Sequence, residues 1–251
     1  MPQNLLVRST PLRFKNPPII EAVIGIYVPE LPDSILKAFQ DASSQLSELG
    51  FVDQAPRMHH NFNIELEAGS SSLERKELGY QYIRPDRSFA AQFLKNGFLF
   101  SQIGSYSTWE EFTLLAKTLW EIYQSIVGAT EVVSFQVRYI NKLFIPTMKD
   151  WENYIRIYPY LPPEVPQGIS EYFSRIVMPI ENPPGQLTHQ QAILPPEREG
   201  HLTMLFDNDF QFSGLGLPIS SLWSRIDEVR GLKDNYFDYF LTPLMKESFN
   251  A

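Results

Sequence analysis

The stretch from Ser107 to Pro146 constrains this chain most, because a long helical pattern gives way directly to a long strand pattern. Apolar residues fall at Trp109, Phe112, Leu115, Leu119, Ile122 and Ile126, three or four apart, and so form one helical stripe. Ser107 and Thr108 can each accept a hydrogen bond from a free amide of the first turn. Glu110 and Glu111 stand three residues further on, as a capping box requires. Gly128 is the expected stop, since a residue without a Cβ enters the left-handed region freely. The period then changes to two. Val133, Phe135, Val137, Tyr139, Leu143 and Ile145 share one parity, interrupted by Asn141. Ser134, Gln136, Arg138 and Lys142 share the other, with Val132, Ile140 and Phe144 between them. β-branched and aromatic residues in alternation predict a strand. Its second face carries Gln136, Arg138 and Lys142 together. That is either a solvated sheet face or an anion or carboxylate site on a rigid strand.

The remaining segments extend the same plan. Ile19 to Val28 reads as a strand, with Glu21 inside an apolar run. A buried, unpaired carboxylate there would cost several kcal/mol, and Arg138 is its expected partner. Pro32 to Leu49 reads as one helix, closed by Gly50. Asn61 to Ala68 reads as a strand preceded by His59-His60, with Glu65 and Glu67 on a wet face. The Ser70–Glu77 tract reads as a polar turn. Gly79 to Pro85 and Ser88 to Ile103 read as strands, the second split by a hairpin signal at Asn96-Gly97. A short helix follows near Asp150 to Tyr158, and the LPPEVPQG stretch is the best candidate boundary. Beyond it, strands are expected at Ser170–Ile180 and His201–Phe212, with Asp207-Asn208-Asp209 as a bulge or turn. A helix over Pro218–Leu241 and a shorter one restarted at Thr242-Pro243 close the chain.

The expected fold is α+β: a curved, mainly antiparallel sheet packed by long helices, in two pseudo-similar halves. The expected division is 1–148 and 149–251, or one continuous domain.

Several segments carry a resemblance. PPIIEAVIGI (Pro17–Ile26), TWEEF (Thr108–Phe112), VRYINKLFIP (Val137–Pro146), YIRIYPYL (Tyr154–Leu161) and LKDNYF (Leu232–Phe237) resemble, in order and spacing, a sporadically distributed, uncharacterised bacterial family of about this length. That family often has Arg where Lys142 stands and Asn where Asp234 stands. The resemblance implies no established activity. Its patchy distribution implies mobile or defence-associated genes.

Composition narrows the function. The formal net charge is −8. Nucleic-acid modules held by phosphate contacts need a basic surface, so nucleic acid is not an expected partner. There is no cysteine, which removes thiolate chemistry and cysteine-ligated zinc. A reducing cytoplasm is the simplest setting. The N-terminal MPQNLLVRSTPLRF has no long apolar run, and no stretch approaches a membrane span, so neither targeting nor membrane insertion is expected. The four histidines, His59, His60, His189 and His201, have no chelating spacing and are expected at surface or turn positions. No Walker loop, GxGxxG or GxSxG occurs. Asp207 and Asp209 could bind a hard cation, but turn chemistry explains the tripeptide equally well, so no metal and no cofactor is expected.

The expected function is that of a non-catalytic cytoplasmic binding protein with a protein partner: an antitoxin, an immunity protein or an accessory factor of a bacterial defence system. The alternative is a small-molecule binding protein or hydrolase using a pocket enclosed by the sheet. Candidate binding residues are Glu21, Gln136, Arg138, Asn141 and Lys142.

Overall fold

The structure, a computed structural model, describes residues 13–65, 70–146 and 148–250. The lead-in before residue 13 and the expected strand positions at Leu66, Glu67 and Ala68 lie outside the described residues. The chain is α+β, with an antiparallel sheet and helices. It forms two compact units that interleave in sequence. The first gathers Met1–Ala22, Gln136–Ser213 and Ser220–Ala251. The second gathers Val23–Phe135 and Gly214–Ile219. The strands β1 (Ile19–Tyr27) and β6 (Glu131–Ile145) each give residues to both units. The proline-rich LPPEVPQG stretch lies inside the first.

In the second unit, β2 (Asp53–Glu65), β3 (Ser70–Ile83), β4 (Phe89–Leu94) and β5 (Gly97–Ile103) pair antiparallel in succession, and β1 follows β5. The Ser70–Glu77 tract, expected as a turn, is the first half of β3, and His59-His60 lie inside β2. These strands pair with each other from Met58↔Glu77 to Glu65↔Ser70. Backbone pairing makes them strands, a signal that polar composition does not carry. The hairpin turn falls at Lys95-Asn96, one residue before the expected Asn96-Gly97, with Leu94↔Gly97 as the closing pair. Gly97 is required for close approach instead: a Cβ there would lie 2.5 Å from the Ile26 carbonyl oxygen.

The expected Pro32–Leu49 helix is two short ones, α1 (Ile35–Asp41) and α2 (Ser43–Glu48), meeting at Ala42. Ser44 Oγ and Ser47 Oγ donate back to the carbonyls of Asp41 and Ser44, a local competition that weakens helix interiors. The helix α3 (Trp109–Val127) is as expected: Thr108 accepts from the Glu111 amide at 3.2 Å, and Gly128 ends it at φ 62°. Its buried stripe is Trp109, Phe112, Thr113, Ala116, Leu119, Trp120 and Tyr123. Leu115, Ile122 and Ile126 flank it, half-buried. The stripe turns because the largest rings go inward. Trp120 and Tyr123 meet Phe98 and Phe93, with ring centroids 5.9 and 5.4 Å apart.

In the first unit the order is β1, β6, β9 (Leu202–Pro218), β8 (Gly185–Leu194) and β7 (Phe173–Ile180). The pairs β9–β8 and β8–β7 are antiparallel. β8 was not foreseen, and a 3-10 turn at Met148–Asn153 replaces the expected short helix. The Asp-Asn-Asp tripeptide is neither bulge nor turn but the middle of β9. The helix α4 (Leu222–Phe240) covers the face that carries Phe206 and Phe210, through Phe206–Phe237, Phe206–Phe240 and Phe210–Tyr236 ring contacts. The closing helix α5 (Pro243–Ser248) starts as expected, with Pro243 at N1 and Thr242 Oγ1 accepting from the Met245 amide. No helix among the described residues is long and apolar enough to cross a membrane.

On β6 the alternation is strict from Phe135: odd residues are buried, even ones half-buried. It slips before that. Val132 is fully buried and Val133 exposed, the reverse of the expected parity.

Candidate functional site

Strand geometry sends alternate side chains to opposite faces. On β9 the even residues Phe206 and Phe210 meet α4. Asp207, Asp209 and Gln211 therefore share the other face. Across the β8 ladder they stand opposite Gln190, Thr188 and Gln186. Arg138 reaches this face from β6 as a two-pronged fork: Nε donates to Asp207 Oδ1 at 2.9 Å and Nη2 to Oδ2 at 2.6 Å. Asp207 is 2% exposed and Arg138 35%. Gln190 Nε2 adds a third donor to Asp207 Oδ2 at 3.3 Å. The Asp207 hydrogen bonds hold the Arg138 guanidinium still more firmly protonated, against the opposing effect of burial.

Asp209 is in a different environment. Gln186 donates to Gln211 Oε1 at 2.9 Å, which directs the Gln211 amide to donate to Asp209 Oδ2 at 2.6 Å. Asp209 Oδ1 is buried with no hydrogen-bond partner. Burial pushes this carboxyl above the ordinary carboxylate range, against the pull of Gln211 and Arg138. Two carboxylates two residues apart thus sit in unlike environments, one gripped by a fork of donors and one half-satisfied.

A stability consequence follows for Asp209. A carboxyl with a raised folded value removes stability as pH rises from the unfolded value through the folded one. Asp209→Asn is therefore expected to stabilise the protein by roughly 1 kcal/mol at pH 7. The gain should vanish below about pH 4, where the unfolded carboxyl is protonated as well. Urea melts at both pH values check this.

The expected site residues separate. Arg138 and Lys142 lie on the half-exposed parity of β6. Lys142 Nζ bridges both oxygens of Glu197 at 2.8 Å. Gln136 shares that parity, half-buried, with no side-chain hydrogen bond among the described residues. Asn141 is on the opposite, buried parity, where its Nδ2 donates to the Phe206 carbonyl at 3.1 Å and ties β6 to β9. Glu21 does not pair with Arg138 as expected. It makes no ion pair among the described residues and acts on Arg138 only through its field, after Asp207 and Asp209. Asp207 takes the guanidinium because it presents both oxygens to the fork.

In the sequence, Asp207 and Asp209 read as turn residues or as ligands for a hard cation, and nothing singles out Gln190 or Glu197. The period-two run Thr203, Leu205, Asp207, Asp209 could have found the aspartates.

His189 is also a correction. It is not at a surface or turn but 1% exposed, between the rings of Phe206 and Phe240 at 4.6 and 4.5 Å. Nδ1 lies 2.8 Å from Asn208 Oδ1, and Nε2 lies 2.9 Å from Gln191 Nε2. The network assigns the proton to Nδ1, since the amide nitrogen can only donate. Burial lowers the His189 value, with Asn208 and the Asp207 charge opposing. The neutral form is favoured in the fold, so stability should fall as pH drops below about 6.5 and level off once the folded form also protonates. His189→Asn should be less stable at pH 7.5 and show a flatter pH profile. Thermal melts between pH 7.5 and 5 test it.

Among the described residues no group of three or more His, Cys, Asp or Glu could hold a metal ion. A search of protein-family models and of curated proteins found no match to this chain.

Proposed function

We propose that the chain is a non-catalytic binding protein that engages a protein partner through the polar face of β6, β9 and β8. The observation that carries this reading is the Arg138–Asp207 fork. A buried ion pair is often no more stable than well-packed apolar residues of the same volume, so packing alone does not call for one here. The fork uses Nε and Nη2, which leaves Nη1 and one hydrogen of Nη2 on a side chain that keeps about a third of its surface. A fixed, half-exposed guanidinium is a rigid recognition element. The acidic balance favours a basic partner. With the resemblance to a sporadically distributed bacterial family, this fits a cytoplasmic antitoxin, immunity protein or accessory factor of a defence system.

The test is affinity capture from native lysate with the intact chain and with the Arg138→Met/Asp207→Leu double variant. The expected result is a stoichiometric protein held by the first and lost by the second, with both folded. Equal capture by both sinks the assignment of this face.

A second reading has one observation in its favour. Two neighbouring carboxyls in unlike environments are the arrangement that splits acid from base in hydrolytic sites. It requires the sheet to curve around a pocket, and a retained metabolite without a protein partner would select it.

A further inference from the structure

The sheet order ends at β7, so among the described residues one edge of that strand has no partner. Its ladder to β8 shows which backbone groups are left over. The Ile193 amide donates to the Tyr172 carbonyl at 3.0 Å, and hydrogen-bonded pairs recur at every second residue of an antiparallel ladder. Tyr172, Ser174, Ile176 and Met178 therefore turn their backbone groups to β8. Phe173, Arg175 and Val177 turn theirs outward. Pro179 shares the outward parity, where its missing N–H costs no bond to β8. The side chains of this parity are exposed as well: Phe173 at 65% and Val177 at 45%, with Arg175 between them and Glu171 just before the strand. Proline blunts an edge against pairing, and here it stands at one end only.

We propose that β7 pairs with β7 of a second copy of this chain, antiparallel about a two-fold axis through Phe173. Phe173 then meets its own copy as a hydrogen-bonded pair, and Glu171 stands opposite Arg175 of the second copy, twice by symmetry. Charge and Pro179 select this register. Centring on Arg175 sets two guanidinium groups face to face. Centring on Ile176 or Val177 opposes Pro179 to a carbonyl to which it cannot donate. Centring on Ser174 leaves Glu171 opposite Val177 and unpaired. Only the Phe173 register is complementary in charge and uses no donor from Pro179. The two-fold axis is perpendicular to the paired strands' sheet, so the β6–β9–β8 faces of the two copies open to the same side. The inference stands independently of what that face engages. The contact is one short strand wide, so the dimer is expected to be weak and reversible.

Sedimentation velocity of the intact chain, from low-micromolar to near-millimolar concentration, tests it. The expected result is a reversible monomer–dimer equilibrium. Glu171→Arg and Arg175→Glu should each weaken it about tenfold or more, since two attractive contacts turn repulsive. Both positions are exposed, so neither change should disturb the fold. An equimolar mixture of the two variants should dimerise again, because every contact of the mixed pair is then between opposite charges. Amide exchange gives a second readout. The Phe173 and Arg175 amides should exchange fast in the monomer and slowly in the dimer, while Ser174 and Ile176 stay slow in both. A monomer at every concentration overturns the inference. So does a dimer that both charge reversals leave unchanged, or a mixture of the variants that stays monomeric. Protection of Phe173 and Arg175 by a segment of another protein, with the chain alone monomeric, overturns it in favour of that occupant.

Discussion

Arg138→Met is expected to destabilise the protein by about 3 kcal/mol, the low end of the range for breaking a buried ion pair. The loss should read out as a lower urea midpoint with an unchanged slope. The reason is the asymmetry of burial. Asp207 is 2% exposed, so it cannot turn to water when its fork is removed, and Gln190 at 3.3 Å is a poor substitute for two charged donors. Arg138, at 35% exposed, can swing outward when Asp207 is lost. Asp207→Leu should therefore cost less, about 1–2 kcal/mol. The double variant should return to within about 1 kcal/mol of the parent, since apolar replacement of a whole buried pair is near neutral. The coupling between the two sites is then large and of known sign. Additive losses would mean that the fork is no unit and that Asp207 is satisfied by other groups. The same double variant should lose the partner while staying folded, which separates recognition from stability.

The sequence made the fold legible wherever burial and periodicity agreed. The helix from Trp109 and its caps at Thr108 and Gly128 were readable because each end has a residue with one clear job. The β2–β3 ladder was not readable. Its Ser70–Glu77 half is polar, and it is a strand only because a partner strand bonds to it. β8 was hidden for a related reason: Gly185–Leu194 carries Thr188, His189, Gln190 and Gln191 in succession, which breaks any apolar alternation. Those residues are polar on both faces because each face has a polar network, Asn208 with His189 on one and Asp207 with Gln190 on the other.

The site was half legible. Arg138 was found because it interrupts an apolar strand, and any charge there needs an explanation. Its partner is less legible: Glu21 is the conspicuous acid in an apolar run, yet Asp207 takes the guanidinium. Asp207 was set aside as turn chemistry, since Asp and Asn favour turns locally. What keeps Asp207-Asn208-Asp209 in a strand is long-range. Arg138, His189 and Gln211 each take one of the three side chains, and two of these partners come from other strands. No local window contains that information.

The second large effect is expected in the aromatic core of the second unit. Phe93→Ala should cost about 3–5 kcal/mol, as for other buried Phe truncations, a fall of roughly 10 °C in melting temperature for a chain of this size. Phe93 is fully buried. Its ring stands at 5.9 Å from Phe39, 5.2 Å from Tyr82, 6.0 Å from Phe98 and 5.4 Å from Tyr123. It is thus the ring through which α1, β3, β5 and α3 meet. Two of those neighbours cannot follow it into the space left behind. Tyr82 donates its hydroxyl to the Phe39 carbonyl, and Tyr123 donates to the Leu94 carbonyl at 2.9 Å. Collapse around the cavity would break buried hydrogen bonds, so the residual void should stay large and the cost should sit at the upper part of the range. Phe93→Leu, which keeps most of the volume, should cost under about half as much. If Phe93→Ala and Phe93→Leu were equally destabilised, shape rather than volume would be the controlling term, and the anchoring role given to Tyr82 and Tyr123 would be wrong. Tyr123→Phe in the Phe93→Ala background decides the point: freeing that ring should recover part of the loss by letting the core close.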